Sequence, residues 1–254
     1  MSSRKGGRLG ALAWTVVTLG AVALPAWAVF RTRAAAEPEV ARAAGEKLLA
    51  KRRVLAIVAH PDDLEWYIGG TLAALDTAGA EVHVIVGTYG EKGPNRTNVP
   101  DLAAERRKEQ LEAAAINGYD RVHFLDVPDR GLPEYELFLP KVIDIWREFK
   151  PDAVLAFDPE KFSLPYLHRD HQGSGRLVLR HWRTLGQGRP TLYLFQTRRP
   201  DVAVDIGAEI ERKLQALAAH RTQNLGMASR AGGFNRRAGQ LFGLGYAETF
   251  RKLQ

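Results

Sequence analysis

The chain has 254 residues, 45% hydrophobic and 26% charged, the balance of a folded globular protein large enough to bury a substantial core. It contains no cysteine, which excludes disulfides, zinc–thiolate sites and cysteine nucleophiles. Its net charge of +7 comes without a basic stripe interleaved with aromatics, so nucleic acid is not the expected partner.

Leu9 to Phe30 carries no charged residue and follows Arg4, Lys5 and Arg8. It matches the roughly 20 apolar residues that a membrane-spanning helix needs, with Trp14 and Trp27 towards its ends. Residues 1–30 are therefore expected to be a membrane anchor, giving a membrane localisation through a single N-terminal helix. A cleaved signal peptide with Ala26-Trp27-Ala28 at the cleavage site, and hence export, is the alternative. Residues 31–50, rich in Ala, Glu and Arg, are read as a linker or short helix, and 51–254 as the catalytic domain.

The apolar run Val54 to Val58 predicts a strand buried on both faces, ending at Ala59-His60-Pro61-Asp62-Asp63. A helix is expected over Asp63–Ala78, with Gly79 as its C-terminal cap. Strands follow at 81–87, 122–127, 153–157, 191–197 and 202–205. Helices are expected at 102–116, closed by Asn117-Gly118, at 133–149, stopped by Pro151, at 170–185, broken by Gly173 and Gly175, and at 206–221. The tail from Gly226 is Gly-rich and then amphipathic. Strands alternating with helices imply a parallel sheet with right-handed crossovers. The expected fold is α/β, a Rossmann-like three-layer sandwich with a mostly parallel sheet, preceded by an N-terminal hydrophobic helix.

Seven histidines are present. His83 and His123 fall within strands and His181 within a helix, where packing or surface roles are the default. His60 and the cluster His168-Arg169-Asp170-His171 differ, because both leave the carboxyl edge of the sheet, where ligands of open α/β folds collect. Two imidazoles, a carboxylate and an open position make the donor set of a catalytic zinc site. One of the adjacent carboxylates Asp62 and Asp63 can ligate a metal while the other faces a water as general base. A further imidazole can meet a developing oxyanion or protonate a leaving group, its tautomer fixed by a nearby carboxylate. The parts for metal-assisted hydrolysis of an amide are all present.

Ala59 to Asp63, then Glu65 and Gly69-Gly70-Thr71-Leu72, with His168 to His171 downstream, resemble the motifs of the LmbE-like/PIG-L family of zinc-dependent de-N-acetylases. Weaker matches are Gly90 to Gly93, Arg106 with Glu109, Pro128 to Gly131, Val204 to Ile206, and Lys213 with Ala219 to Gln223. They run in order from about residue 53 to 225. The resemblance implies a hydrolase of C–N bonds in linear amides that removes acetyl from an N-acetylglucosamine-type conjugate, with one Zn2+, or another divalent metal, per chain. It implies His60, Asp63 and His171 as metal ligands and Asp62 as general base. His168 would be the oxyanion partner or general acid, oriented by Asp170, with Arg106 and Asp129 near the sugar. The anchor and basic surface suit a lipid-linked or envelope glycan. Leu64 departs from the pattern, since many members place the Glu directly after Asp-Asp, but that Glu is no ligand.

Two other classes fit part of this pattern. A non-haem iron oxygenase would use two histidines and one carboxylate, but is expected on a β-rich jelly roll. A membrane-tethered glycan-binding protein without catalysis would not need the full set of acids and histidines kept here.

Overall fold

The computed structural model describes residues 32–132, 136–160 and 169–254. In chain order these hold α1 (Pro38–Leu49), β1 (Arg53–Val58), α2 (Asp63–Tyr67), α3 (Gly69–Thr77), β2 (Glu81–Val86), α4 (Leu102–Asn117), β3 (Arg121–Phe124), α5 (Phe138–Phe149), β4 (Ala153–Phe157), α6 (Arg169–Thr184), β5 (Thr191–Phe195), β6 (Val202–Asp205), α7 (Ile210–Ala219), α8 (Arg221–Asn224), α9 (Ala228–Gln240) and β7 (Ala247–Leu253). Arg33–Gln254 is one compact unit.

The strands form one sheet in the order β3-β2-β1-β4-β5-β7-β6, parallel except that β7 runs antiparallel to both β5 and β6. β1 is buried from Val54 to Val58 and β4 throughout, as continuous apolar runs in a sheet covered on both faces must be. Right-handed crossovers carry the chain one way from β1 through β3 and the other way from β3 to β4 and β5, so helices cover both faces. β1 and β4 are neighbours from which the chain departs in opposite directions. The crevice beyond their carboxyl ends is the binding position of such a sheet. His60 leaves β1 and His171 follows β4 at that crevice.

Several expectations need correction. The 63–78 helix is interrupted at Ile68, whose φ of −138° divides α2 from α3. The second piece starts with a cap the spacing did not reveal: Glu248 of β7 accepts from the amides of Gly70 (3.0 Å) and Thr71 (2.7 Å) and pairs with Lys213 Nζ at 2.6 Å. Lys213 and Glu248 are fully buried. Removing one member of such a pair strands the other, so Lys213→Met should cost about 3–5 kcal/mol of unfolding free energy, read by denaturant titration. Gly173 and Gly175 do not break α6. A Cβ on Gly175 would lie 2.2 Å from the carbonyl oxygen of Phe157, so the glycine lets the helix settle against the end of β4. The tail supplies both α9 and an inserted strand, β7.

The described part of the 31–50 stretch packs on the domain. Arg33 and Ala35 donate to the carbonyls of Arg198 and Pro200, and a Cβ on Gly45 would lie 2.1 Å from the carbonyl oxygen of Ala203.

The membrane localisation is corrected as well. Among the described residues no helix is long and apolar enough to cross a bilayer. α4 and α6, with 16 residues each, fall short of the roughly 20 required and carry several charges. The segment 9–30, on which the anchor, the N-terminal hydrophobic helix and the export alternative rested, lies outside the described residues, as does His168.

Candidate metal centre and active site

The site is built on the turn that follows β1. Asp63 folds its carboxylate back onto that turn, accepting from the amides of His60 (2.8 Å) and Ala59 (3.2 Å). This fixes the His60 backbone and leaves Asp63 Oδ1 3.0 Å from Nε2 of His171. The same His171 nitrogen is 3.3 Å from Nδ1 of His60, which is 3.5 Å from Asp63 Oδ2. His171 comes from the first turn of α6, and its ring stacks on Phe157 at the end of β4, 4.2 Å between centroids and 8° from parallel. Tyr67 meets the same imidazole edge-on. His60, Asp63 and His171 thus offer two nitrogens and an oxygen at one point, in a nearly buried crevice.

The far nitrogen of His60 faces two more acids. Nε2 lies 3.2 Å from Asp129 Oδ1 and 3.3 Å from Asp170 Oδ2. Asp170 was expected beside His168; its Oδ2 also accepts from the Arg130 amide at 2.8 Å. Asp129 was expected near a sugar. It is buried behind His60, with its Oδ2 accepting from the Lys92 amide, while Lys92 Nζ donates to its carbonyl. Carboxylates on the non-ligating nitrogen are the usual outer partners of a metal-binding imidazole.

Burial disfavours a charged His60, yet Asp129, Asp170 and Asp63 outweigh it and hold the imidazole pKa well above its ordinary value. Burial likewise pushes Asp63 up, but His171 and His60 more than reverse this and keep it well below the usual carboxylate range. The buried carboxylates thus draw positive charge to this point. Two imidazoles and a carboxylate around a focus of negative potential fit a divalent cation of the zinc type.

Two groups could hold a metal, His60 with Asp63 and His171 and His60 with Asp129 and Asp170, and Asp62 belongs to neither. Its φ of 89° places a non-glycine residue in left-handed backbone, a conformation that is costly and that turns its side chain away from its neighbour's direction. Four contacts hold it there. Its amide donates to Gln110 Oε1 (3.2 Å), Oδ2 accepts from Asn224 Nδ2 (2.9 Å), Arg106 Nη2 stands 3.6 Å from Oδ1, and the same guanidinium donates to the Pro61 carbonyl at 2.5 Å. Arg106, expected at the sugar, is 4% exposed and is occupied with this turn and with the Gly90 carbonyl. Burial raises the Asp62 carboxyl above its ordinary value, with Asp63 adding to the rise and Arg106, His220 and Asn224 opposing it.

Asn224 and Gln110 were missed in the sequence. Asn224 sits at the end of the four-residue α8, its Oδ1 accepting from Trp66 Nε1 at 2.8 Å. Only its place directly after Ala219 to Gln223 could have hinted at it. That stretch is anchored beneath the site: His220 Nε2 lies 3.0 Å from buried Glu65, and the Thr222 amide and hydroxyl both donate to Glu109.

The family described as PIG-L, GlcNAc-PI de-N-acetylase, matches residues 55–182. The chain is 30% identical over 196 residues to the probable N-acetyl-alpha-D-glucosaminyl L-malate deacetylase 2 of Bacillus cereus, spanning 70% of this chain and 86% of that protein. It is 30% identical over 190 residues to the diacetylchitobiose deacetylase of Thermococcus kodakarensis, spanning 68% and 70%. The solved N,N'-diacetylchitobiose deacetylase of Pyrococcus horikoshii superposes with a TM-score of 0.72 at 29% identity, over 80% of this chain and 84% of that one. With the family's motifs meeting at one sheet edge and the match running through most of the domain, the chain belongs to the PIG-L (LmbE-like) family of de-N-acetylases.

Proposed function

We propose that the protein removes the acetyl group from an N-acetylglucosamine-type sugar conjugate, consuming water and giving acetate and a free amine. The observation that carries this is the convergence of His60 Nδ1, Asp63 Oδ1 and His171 Nε2 beside a separately held carboxylate, Asp62. These three residues would hold a divalent cation, zinc before others. When bound, the cation acidifies a water and polarises the amide carbonyl. Asp62 takes the proton of the attacking water, and burial, by raising its carboxyl above the ordinary value, strengthens it as a base. His168 is assigned to the developing oxyanion or the departing nitrogen. Asp170 and Asp129 orient His60, and Arg106 holds the Pro61–Asp62 turn; these three act through their neighbours, not on the sugar. The substrate class follows the relatives, whose names specify acetylated glucosamine conjugates. The two-histidine, one-carboxylate set would also suit an iron oxygenase, but the parallel α/β sheet and the family both speak for hydrolysis.

Acetate release from diacetylchitobiose and other N-acetylglucosamine conjugates tests the reading, with and without a chelator. Release that the chelator abolishes and zinc restores is expected. Absence of release from every conjugate by the metal-replete protein would point to glycan binding without catalysis.

Asn224 supplies a finer test. A hydrogen bond to a charged group is worth about 1.5–3 kcal/mol. Asn224→Ala should therefore lower kcat about 10- to 100-fold with little change in KM.

A further inference from the structure

We infer that His83 and His123 form a second transition-metal site, at the amino half of the sheet and separate from the centre beyond β1 and β4. His83 lies in β2 and His123 in the adjacent parallel strand β3, two pairing positions apart (His83↔Arg121, Ile85↔His123), so both project to one face. Nδ1 of His83 and Nε2 of His123 are 3.4 Å apart. That is long for an N–H···N hydrogen bond. It equals the ligand separation of about 3.3–3.4 Å that two imidazoles take around a tetrahedral ion with metal–nitrogen bonds of about 2.0–2.1 Å.

The surroundings suit a ligand pair. Phe149 stacks on His83 at 3.9 Å and 15°, fixing the ring plane. Glu81 Oε1 lies 3.3 Å from His83 Nε2, which favours the proton on that nitrogen and leaves the Nδ1 lone pair aimed at His123. This is the carboxylate–histidine–metal arrangement that orients imidazoles in known metal sites. Arg53 ties down the other Glu81 oxygen at 2.8 Å and covers the outer side of Phe149. A cavity of about 200 Å³ opens against both histidines, with Glu148 also in its wall, leaving room for water to complete the coordination. Burial and the nearby Arg121 lower both imidazoles, against the raising influence of Glu81 and Asp120 on His83 and of Glu148 on His123. Both are therefore neutral and able to ligate at neutral pH. Imidazole-rich sites favour Zn2+, Ni2+ and Cu2+. A metal here staples β2 to β3 and stabilises the fold by mass action, without touching the reacting groups.

Equilibrium dialysis of the full chain against buffered Zn2+, with metal per chain counted by elemental mass spectrometry, tests the site. Uptake is expected in two steps, the second at micromolar free zinc and accompanied by a rise of several degrees in melting temperature. His83→Gln and His123→Gln should each abolish the second step and keep the first. His171→Ala should abolish the first and keep the second, so failure of the active-site reading is distinguishable from failure of this one. Absence of the second step in the wild type, or its survival in both His83→Gln and His123→Gln, overturns the proposal. Imidazole 15N shifts of the wild type read the same event without any variant. Nδ1 of His83 and Nε2 of His123 should move together to metal-bound values at the second step, and shifts that stay those of a hydrogen-bonded pair overturn it.

Discussion

Asp62→Asn is expected to lower kcat for acetate release by about 10²- to 10⁴-fold, the range a positioned general base contributes, with metal content and melting temperature unchanged. Asparagine is the informative replacement because of the backbone. At φ 89° most side chains add strain, whereas Asn and Asp tolerate left-handed conformations. Alanine would mix the loss of the base with a backbone cost of roughly 1–2 kcal/mol. The amide oxygen can take the place of Oδ2 and still accept from Asn224, while the NH2 takes the place of Oδ1 on the Arg106 side; the Asn224 and Gln110 contacts then keep the turn and the neighbouring Asp63, the proposed ligand, in place. Kinetics on metal-replete variant, with elemental analysis and a thermal melt on the same sample, provide the check. Wild-type turnover would remove Asp62 from the role of base.

His171→Ala should weaken metal binding by more than the 10- to 100-fold that loss of an outer partner brings, and activity should fall with it. His171 is the only proposed ligand that does not come from the β1 turn. Without it, His60 and Asp63 offer two donors three residues apart on one turn. The truncation also removes the ring that packs against both Phe157 and Tyr67. A modest loss of stability is expected alongside, and metal per chain at equal folded fraction separates the two effects. Unchanged stoichiometry would show that another residue completes the ligand set.

The place of the motif residues was legible because a stiff element delivers them. An apolar run as dense as Val54–Val58 has little choice but a buried strand, and a buried parallel strand places whatever follows it in the crevice. The helix ends that relied on local chemistry also held, with Gly79 and Gly118 both in left-handed caps. Long-range packing was not legible. Gly175 looked like a helix breaker, yet its missing side chain answers a carbonyl on β4. Ile68 carries the right apolar spacing for an unbroken helix, and only the Glu248 carboxylate, far along the chain, shows why the helix restarts at Gly69. β7 was hidden because Ala247 to Leu253 alternates weakly and follows a Gly-rich stretch.

The same division runs through the chemistry. The three proposed ligands could be placed together from motifs, since each sits at an element end whose position the topology sets. Asp129 and Arg106 carry charges that read naturally as contacts to a polar substrate. The structure buries both, one on His60 and the other on the Pro61 carbonyl and Asp62, contacts that no local pattern announces. Asn224 makes its contact across 162 positions, from a helix one turn long. No local pattern encodes such a partner.

Because the carboxylate that caps α3 belongs to β7, the two segments share a fate in solvent exchange. The amides of Gly70 and Thr71 are bonded to Glu248, so they can meet deuterium only when that strand swings out or its pairing with Lys213 opens. Their protection should therefore match that of the β7 ladder with β5 and β6, not that of the partly exposed last turn of α3. Helix, inserted strand and buried ion pair would then form a single cooperative unit lying against the turn that carries the site.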